Sequence, residues 1–190
     1  MSKKSANEAM TRCLVALPVA MVVTLYFLGR SWWCPQGDAV PWSLDIWSPH
    51  NSQHLFDAYS LSHIQHGISL FLLLSMIGKQ ALGVPVKVVL VGFVEVAWEV
   101  LENTSLIINR YREATISLDY YGDSISNSVS DYLMCMLGVL LVHRSGWKIG
   151  IGLFIALESL SLFWVRDSLI LNIIMLVAPN DVIRQWQVQS

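Results

Sequence analysis

Hydrophobic residues in this chain come in long runs, and short polar stretches separate them. Six such runs occur, over residues 13–29, 61–82, 84–108, 123–142, 149–164 and 168–178. A helix rises 1.5 Å per residue, so about 20 residues cross the ~30 Å hydrocarbon core of a bilayer. The first five runs approach or exceed that length, and the sixth, ended by Pro179, is barely long enough. The pattern predicts an all-α fold, a polytopic bundle of about six transmembrane helices forming a single integral membrane domain over 1–190.

The flanks refine this picture. Residues 1–12 are polar and basic ahead of the first run, the outline of a signal peptide or signal anchor. Bulky Arg30-Ser31-Trp32-Trp33 stands where small residues would mark cleavage, so the first helix is expected to stay attached, kinked at Pro18. The stretch 30–60 holds Trp32, Trp33, Trp42 and Trp47, three prolines and no lysine. Amphipathic rings at this density suit a loop lying in the membrane interface, and a small folded cap over the helices fits equally well.

Cytoplasmic loops of membrane proteins carry an excess of Lys and Arg. With six spans and the N-terminus inside, all five lysines fall inside, and Arg30, Arg110, Arg112 and Arg166 outside. Residues 1–12 and the tail 180–190 are then both cytoplasmic, and 30–60 is an outer loop. Composition agrees with a membrane protein: 54% of residues are hydrophobic and 14% charged. A formal charge of −2 with no basic run beyond Lys3-Lys4 excludes a nucleic-acid partner. Cys13, Cys34 and Cys135 form no C-x-x-C pair, which suggests neither a disulfide framework nor a zinc knuckle and leaves them as passive fillers.

Candidate chemistry is concentrated between residues 92 and 131, which contain Glu95, Glu99, Glu102, Glu113, Asp119, Asp123 and Asp131. A charged side chain inside a membrane helix costs roughly 2.5–3.5 kcal/mol on insertion scales, so several together mark a functional site. The topology brings the start of helix two, the end of helix three and the start of helix four to one end of the bundle. Glu95, Glu99 and Glu102 then share an arc of roughly 60° on helix three. Asp123, Asn127 and Asp131 form a second stripe on helix four, drifting about 80° over its length. His63 and His66 are neighbours on helix two.

Two uses compete for this cluster. His63, His66, Glu99 and Glu102 have spacing suited to a divalent transition metal held between facing helices. Without metal, Glu99, Glu102, Asp123 and Asp131 serve as catalytic acids and bases or as a proton relay. Arg110, Arg112 and Asn127 are the candidates for holding a substrate, the arginines by gripping a phosphate head group, with pairing to Glu102, Glu113 or Asp119 as their equal alternative. His54, in the loop ahead of helix two, reads either as a further member of the site or as a solvated loop histidine, His143 reads as plain surface, and Glu158 reads as an interhelical partner. Ser124, Ser126, Ser128 and Ser130 read as small residues that let helices approach closely.

The segments SQHLFDAYSLSHIQHG, EVAWEVLENT, INRYREATISLDYYGDSISNSVSD and MCMLG resemble an uncharacterised family of multi-pass bacterial inner-membrane proteins, over roughly residues 42–164. A more distant similarity is to VanZ-like membrane proteins, carried by His66, Glu99 with Glu102, and Asp123-Ser124-Ile125-Ser126-Asn127 with Asp131 and Gly138. Leu61-Ser62 stands where such proteins often carry an Asp-Lys pair. The resemblance implies a bacterial inner membrane and no particular reaction. Two functions follow as expectations: an outward-facing intramembrane enzyme acting on a lipid or lipid-linked envelope substrate, or a small transporter, proton relay or complex subunit. The inner halves of helices two and three, 70–76 and 84–91, carry no acidic or imidazole group, which favours a one-sided site.

Overall fold

The structure is a computed structural model and describes residues 3–78, 81–117 and 119–188. Among these the chain forms α1 (Lys3–Phe27), α2 (Ser60–Ile77), α3 (Val84–Glu102), α4 (Ser105–Ala114), α5 (Ile125–Ser145), α6 (Trp147–Val165), α7 (Leu169–Val177) and α8 (Asp181–Val188). Helices α1, α2, α5 and α6 are long and apolar enough to cross a membrane. Helix α3 matches them with 19 residues but carries Lys87, Glu95, Glu99 and Glu102.

Helix α5 is the most buried of the candidate spans and packs against α1, α2, α3 and α6. Two apolar clusters fill the seams: Met21, Leu25, Val96, Ile125 and Tyr132 near one end, Phe71, Val91, Cys135, Val139 and Val142 near the other. Helices α2 and α5 meet at backbone contact. A methyl group on Gly67 would collide with the Cys135 carbonyl, and one on Gly138 with the Ile64 carbonyl.

Three boundaries differ from the hydropathy pattern. Helix three was expected to run to 108 but stops at Glu102, because the Asn103 amide donates to the Glu99 carbonyl (3.0 Å) and competes with the next helical turn. The polar stretch after it is not a plain loop, since α4 occupies 105–114. The run 168–178 yields α7, which at nine residues is about 14 Å long and too short to cross a bilayer. Helix α2 ends at Ile77, and residues 79 and 80 of the expected helix lie outside the described residues.

The short α7 changes where the tail ends up. Arg184 of α8 donates to the carbonyls of Glu113 (2.7 Å) and Ala114 (3.0 Å), and Gln187 donates to Asp167 (3.1 Å). The chain therefore finishes beside α4, at the end of the bundle that holds the loop 28–59, and α1 begins at the other end. The expected sixth span over 168–178 is thus replaced by a short helix whose following segment packs back onto α4.

The loop 28–59 is folded. Ser43 and Phe56 pair through their backbones (2.9 Å), and Trp33 donates from its ring nitrogen to the Asp38 carbonyl (2.7 Å). Its carbonyls also cap the start of α5, where helical N–H groups lack internal partners. Ser124, Ile125 and Ser126 donate to the carbonyls of Ser52 (3.0 Å), Ser31 (2.8 Å) and Trp32 (3.3 Å). The rings of Trp32, Trp42 and Trp47 remain exposed on the outside of this cap.

Candidate functional site

The three expected helix ends do converge. At the centre lies His63 of α2, buried, with its Nδ1 2.6 Å from Oε1 of Glu95 and 3.3 Å from Oε1 of Glu99. Its Nε2 is 3.8 Å from Asp131 of α5, which also accepts from the Ser60 hydroxyl (3.2 Å). The other Glu95 oxygen lies 3.1 Å from Nδ1 of His66. Glu95 thus clamps both imidazoles through the same nitrogen, which fixes the Nδ1–H tautomer and turns both Nε2 atoms away from it.

Glu99 is buried, 1% exposed, and neither of its carboxylate oxygens has a hydrogen-bond partner among the described residues. The contact to His63 does not satisfy it, because the single Nδ1 hydrogen is used by the closer Glu95. Among the described residues, ligand atoms of His63, His66 and Glu95, and of His63, Glu99 and Asp131, each converge within 4.8 Å and have metal-holding chemistry. Glu102 joins neither group.

Above this core sits Asp123, just before α5. It accepts from the Asn103 amide (2.9 Å) and the Tyr120 hydroxyl (2.9 Å), and its own N–H donates to Asn103 (2.8 Å). Gly122 permits this arrangement: its φ of +94° is open to glycine, and a side chain there would strike Asn103 and Arg30. Asn127 donates to the His54 carbonyl (2.9 Å) and reaches Asp57 (3.4 Å). Burial pushes the Asp123 carboxyl up to about 6 despite the opposing hydrogen bonds from Tyr120 and Asn103, and it raises Asp57 as well. Burial, then the charge of Asp123, raises the Tyr120 phenol well above its usual range.

A cavity of about 220 Å³ opens against these groups. One wall is polar, with His63, His66, Glu102, Asp123, Asn127 and Asp131. The lining also includes Trp98, beside His66, and, from α7, the apolar Leu169, Ile173 and Leu176 with Asn172. Glu95 and Glu99 stand behind His63 and do not reach the cavity. Arg110 and Arg112 do not line it either: their Nε atoms donate to the carbonyls of Leu176 and Tyr120. Glu158 bridges helices as expected, accepting from Gln65 (2.8 Å) and from the Ile170 N–H (3.2 Å). His143 is exposed. Asn103, Tyr120 and Ser60 were not anticipated, since polar residues at helix ends read as ordinary caps.

The raised Asp123 pKa gives a pH-dependent stability. The folded state holds this proton more tightly than the unfolded chain, so between about pH 4 and 6 the unfolded chain releases it first, and stability falls as pH rises through that window. The loss is on the order of 3 kcal/mol at most. Thermal unfolding in detergent at pH 4.5 and 7 should show a smaller difference for Asp123→Asn than for the parent protein. An equal difference in both would contradict the burial argument.

Four helices of membrane-spanning length and a buried His/Glu/Asp cluster are the features of a helical membrane bundle with a polar site inside it. A family model for a protein of unknown function, DUF2585, matches residues 25–189. The chain belongs to this uncharacterised bacterial family, whose members also carry the label UPF0314. It is 43% identical to a UPF0314 protein of Sphingopyxis alaskensis over 90% of this chain and 91% of that one. It is 41% identical to UPF0314 proteins of Sinorhizobium fredii, over 92% and 88% of the two chains, and of Brucella anthropi, over 98% and 95%. No solved structure matches.

Proposed function

We propose that this protein is an intramembrane hydrolase or group-transfer enzyme of the bacterial inner membrane, working at the outer leaflet on a lipid or lipid-linked envelope precursor. The observation that carries this reading is a cavity lined both by imidazole and carboxyl groups of α2 and α5 and by a mainly apolar stretch of α7 (Leu169, Ile173 and Leu176, with Asn172). Ile170, Ile173, Ile174 and Val177 of α7 are exposed on the surface of the bundle. In a membrane that surface meets acyl chains, so a single short helix separates the polar groups from lipid. An amphiphile fits such a site, with its head group toward His63 and its chain along α7.

In this reading His63 does the proton work. Glu95 holds its Nδ1–H, so the free Nε2 accepts a proton, and Asp131 at 3.8 Å stabilises the imidazolium that forms. Asp123, titrating near 6 and positioned by Asn103 and Tyr120, supplies or takes the second proton. Glu102 and Asn127 complete the polar wall. Arg110 supports the α7 stretch through the Leu176 carbonyl (2.8 Å). With α3 counted, the chain crosses five times. The lysines then lie inside with the N-terminus, and the tail lies outside.

Lipid profiling of a strain lacking the protein tests the proposal. An amphiphilic envelope precursor should accumulate and disappear on complementation by the parent gene, with Asp131→Asn failing to restore it. Unchanged lipids together with altered solute uptake would replace the enzyme by a transporter.

A further inference from the structure

A second cluster of ligand-type side chains lies in the loop cap, apart from the cavity. Cys34 Sγ is 3.3 Å from Nδ1 of His50, and the same nitrogen is 3.2 Å from Nε2 of His54 and 3.1 Å from Oδ2 of Asp38. An imidazole nitrogen carries at most one hydrogen, so hydrogen bonding accounts for at most one of these three contacts. The ligand atoms of Cys34, His50 and His54 all lie within 4.8 Å of one another.

The remaining geometry fits a cation. The Nδ1 of His54 contacts the Val40 carbonyl, so its hydrogen lies there and Nε2 presents a lone pair to the cluster. A metal-bound imidazole is commonly oriented in this way, by a carbonyl on its other nitrogen. Tetrahedral zinc, with Zn–N of ~2.0–2.1 Å and Zn–S of ~2.3 Å, sets neighbouring ligand atoms ~3.3–3.6 Å apart. The separations from His50 Nδ1, 3.3 Å to Cys34 and 3.2 Å to His54, are close to those edges. Cys34 and His54 are buried, and the Trp33 ring packs edge-on against His54 at 5.6 Å.

We infer that Cys34, His50 and His54 supply three ligands of a binding site for a zinc-like divalent transition metal that staples the outer loop, with Asp38 beside both histidines as an acidic neighbour. The residues come from both ends of that loop, and both ends supply carbonyls to the start of α5. His50 and His54 are brought onto one side by the turn in which Gln53 N–H donates to the His50 carbonyl (3.1 Å). Thiolate with two imidazoles selects zinc or a similar borderline ion over magnesium or calcium. The metal's role is structural: with the loop fixed, Asn51 and Ser52 stay in place at the cavity rim.

The test uses the full-length protein in detergent, stripped with a chelator and titrated with Co²⁺. One ion per chain should bind, with thiolate-to-cobalt charge-transfer absorption, and Zn²⁺ should displace it and raise the unfolding temperature. Cys34→Ser should abolish the charge-transfer band, whereas Glu99→Gln, in the other cluster, should leave it intact. His50→Gln, at a side chain 32% exposed and so tolerant of change, should weaken binding roughly tenfold or more. No band in the parent protein, a band that survives Cys34→Ser, or one lost in Glu99→Gln would each overturn the inference, whatever the lipid profile shows.

Discussion

Glu95→Gln is expected to destabilise the protein by about 3–5 kcal/mol, while Glu99→Gln, one helical turn away and equally buried, leaves stability unchanged or raises it. The two carboxylates differ in what they hold. Glu95 accepts from His63 at 2.6 Å and from His66 at 3.1 Å, so both of its oxygens are used. An amide offers one oxygen, and its NH₂ would face an imidazole N–H with no acceptor between them, leaving buried groups unpaired. Glu99 has no hydrogen bond to lose, and a neutral amide is cheaper to bury than a carboxylate. Both variants are expected to lose the ability to complement, since each alters the charge around His63. Thermal unfolding of the two purified variants checks the contrast. Equal destabilisation, or a fully active Glu99→Gln protein, would reduce the cluster to packing.

The second large effect concerns the α2/α5 seam. Gly67→Ala and Gly138→Ala each place a methyl group on a backbone carbonyl of the facing helix, and a backbone cannot move aside as a flexible side chain does. Overpacking of this kind costs typically 1–3 kcal/mol or more. It also separates His63 from Asp131, which face each other across the same seam, so the proposed proton chemistry should fail even in molecules that fold. Gly152→Ala is the control. It lies on α6 with nothing near the new methyl group, and helix propensity favours alanine by about 1 kcal/mol. A Gly138→Ala protein as stable and active as the parent would mean that the helices pack further apart than described.

Much of the site could be read from the chain because charge in an apolar run is costly and the helical period is fixed. The stripes Glu95-Glu99-Glu102 and Asp123-Asn127-Asp131, and the pair His63 and His66, needed nothing more than that to be placed at one end. Which carboxylate meets which imidazole was not legible, because it depends on how far α2 is shifted along α3, and sequence periodicity carries no such register. Glu95 meets both histidines for this reason, and Glu102 faces the cavity. The break at Asn103 was hidden because the amide that bonds back to the Glu99 carbonyl is held in place by Asp123, 20 positions further on. Cys34 read as a filler because its partners His50 and His54 follow no motif spacing and meet it only through the turns of the loop.

The capping of α5 by the outer loop also dictates an order of events during synthesis. Ser126 bonds the Trp32 carbonyl across 94 positions, Asn127 bonds that of His54 across 73, and Ser124 bonds that of Gln53 across 71. None of these contacts can exist until the ribosome has made α5, long after it has made the loop. Closing so distant a contact restricts the chain before the bond repays it, and contacts of this span form slowly. The loop therefore waits for its partner while α2, α3 and α4 are made. Its arrival on α5 is the step that turns inserted helices into a finished site.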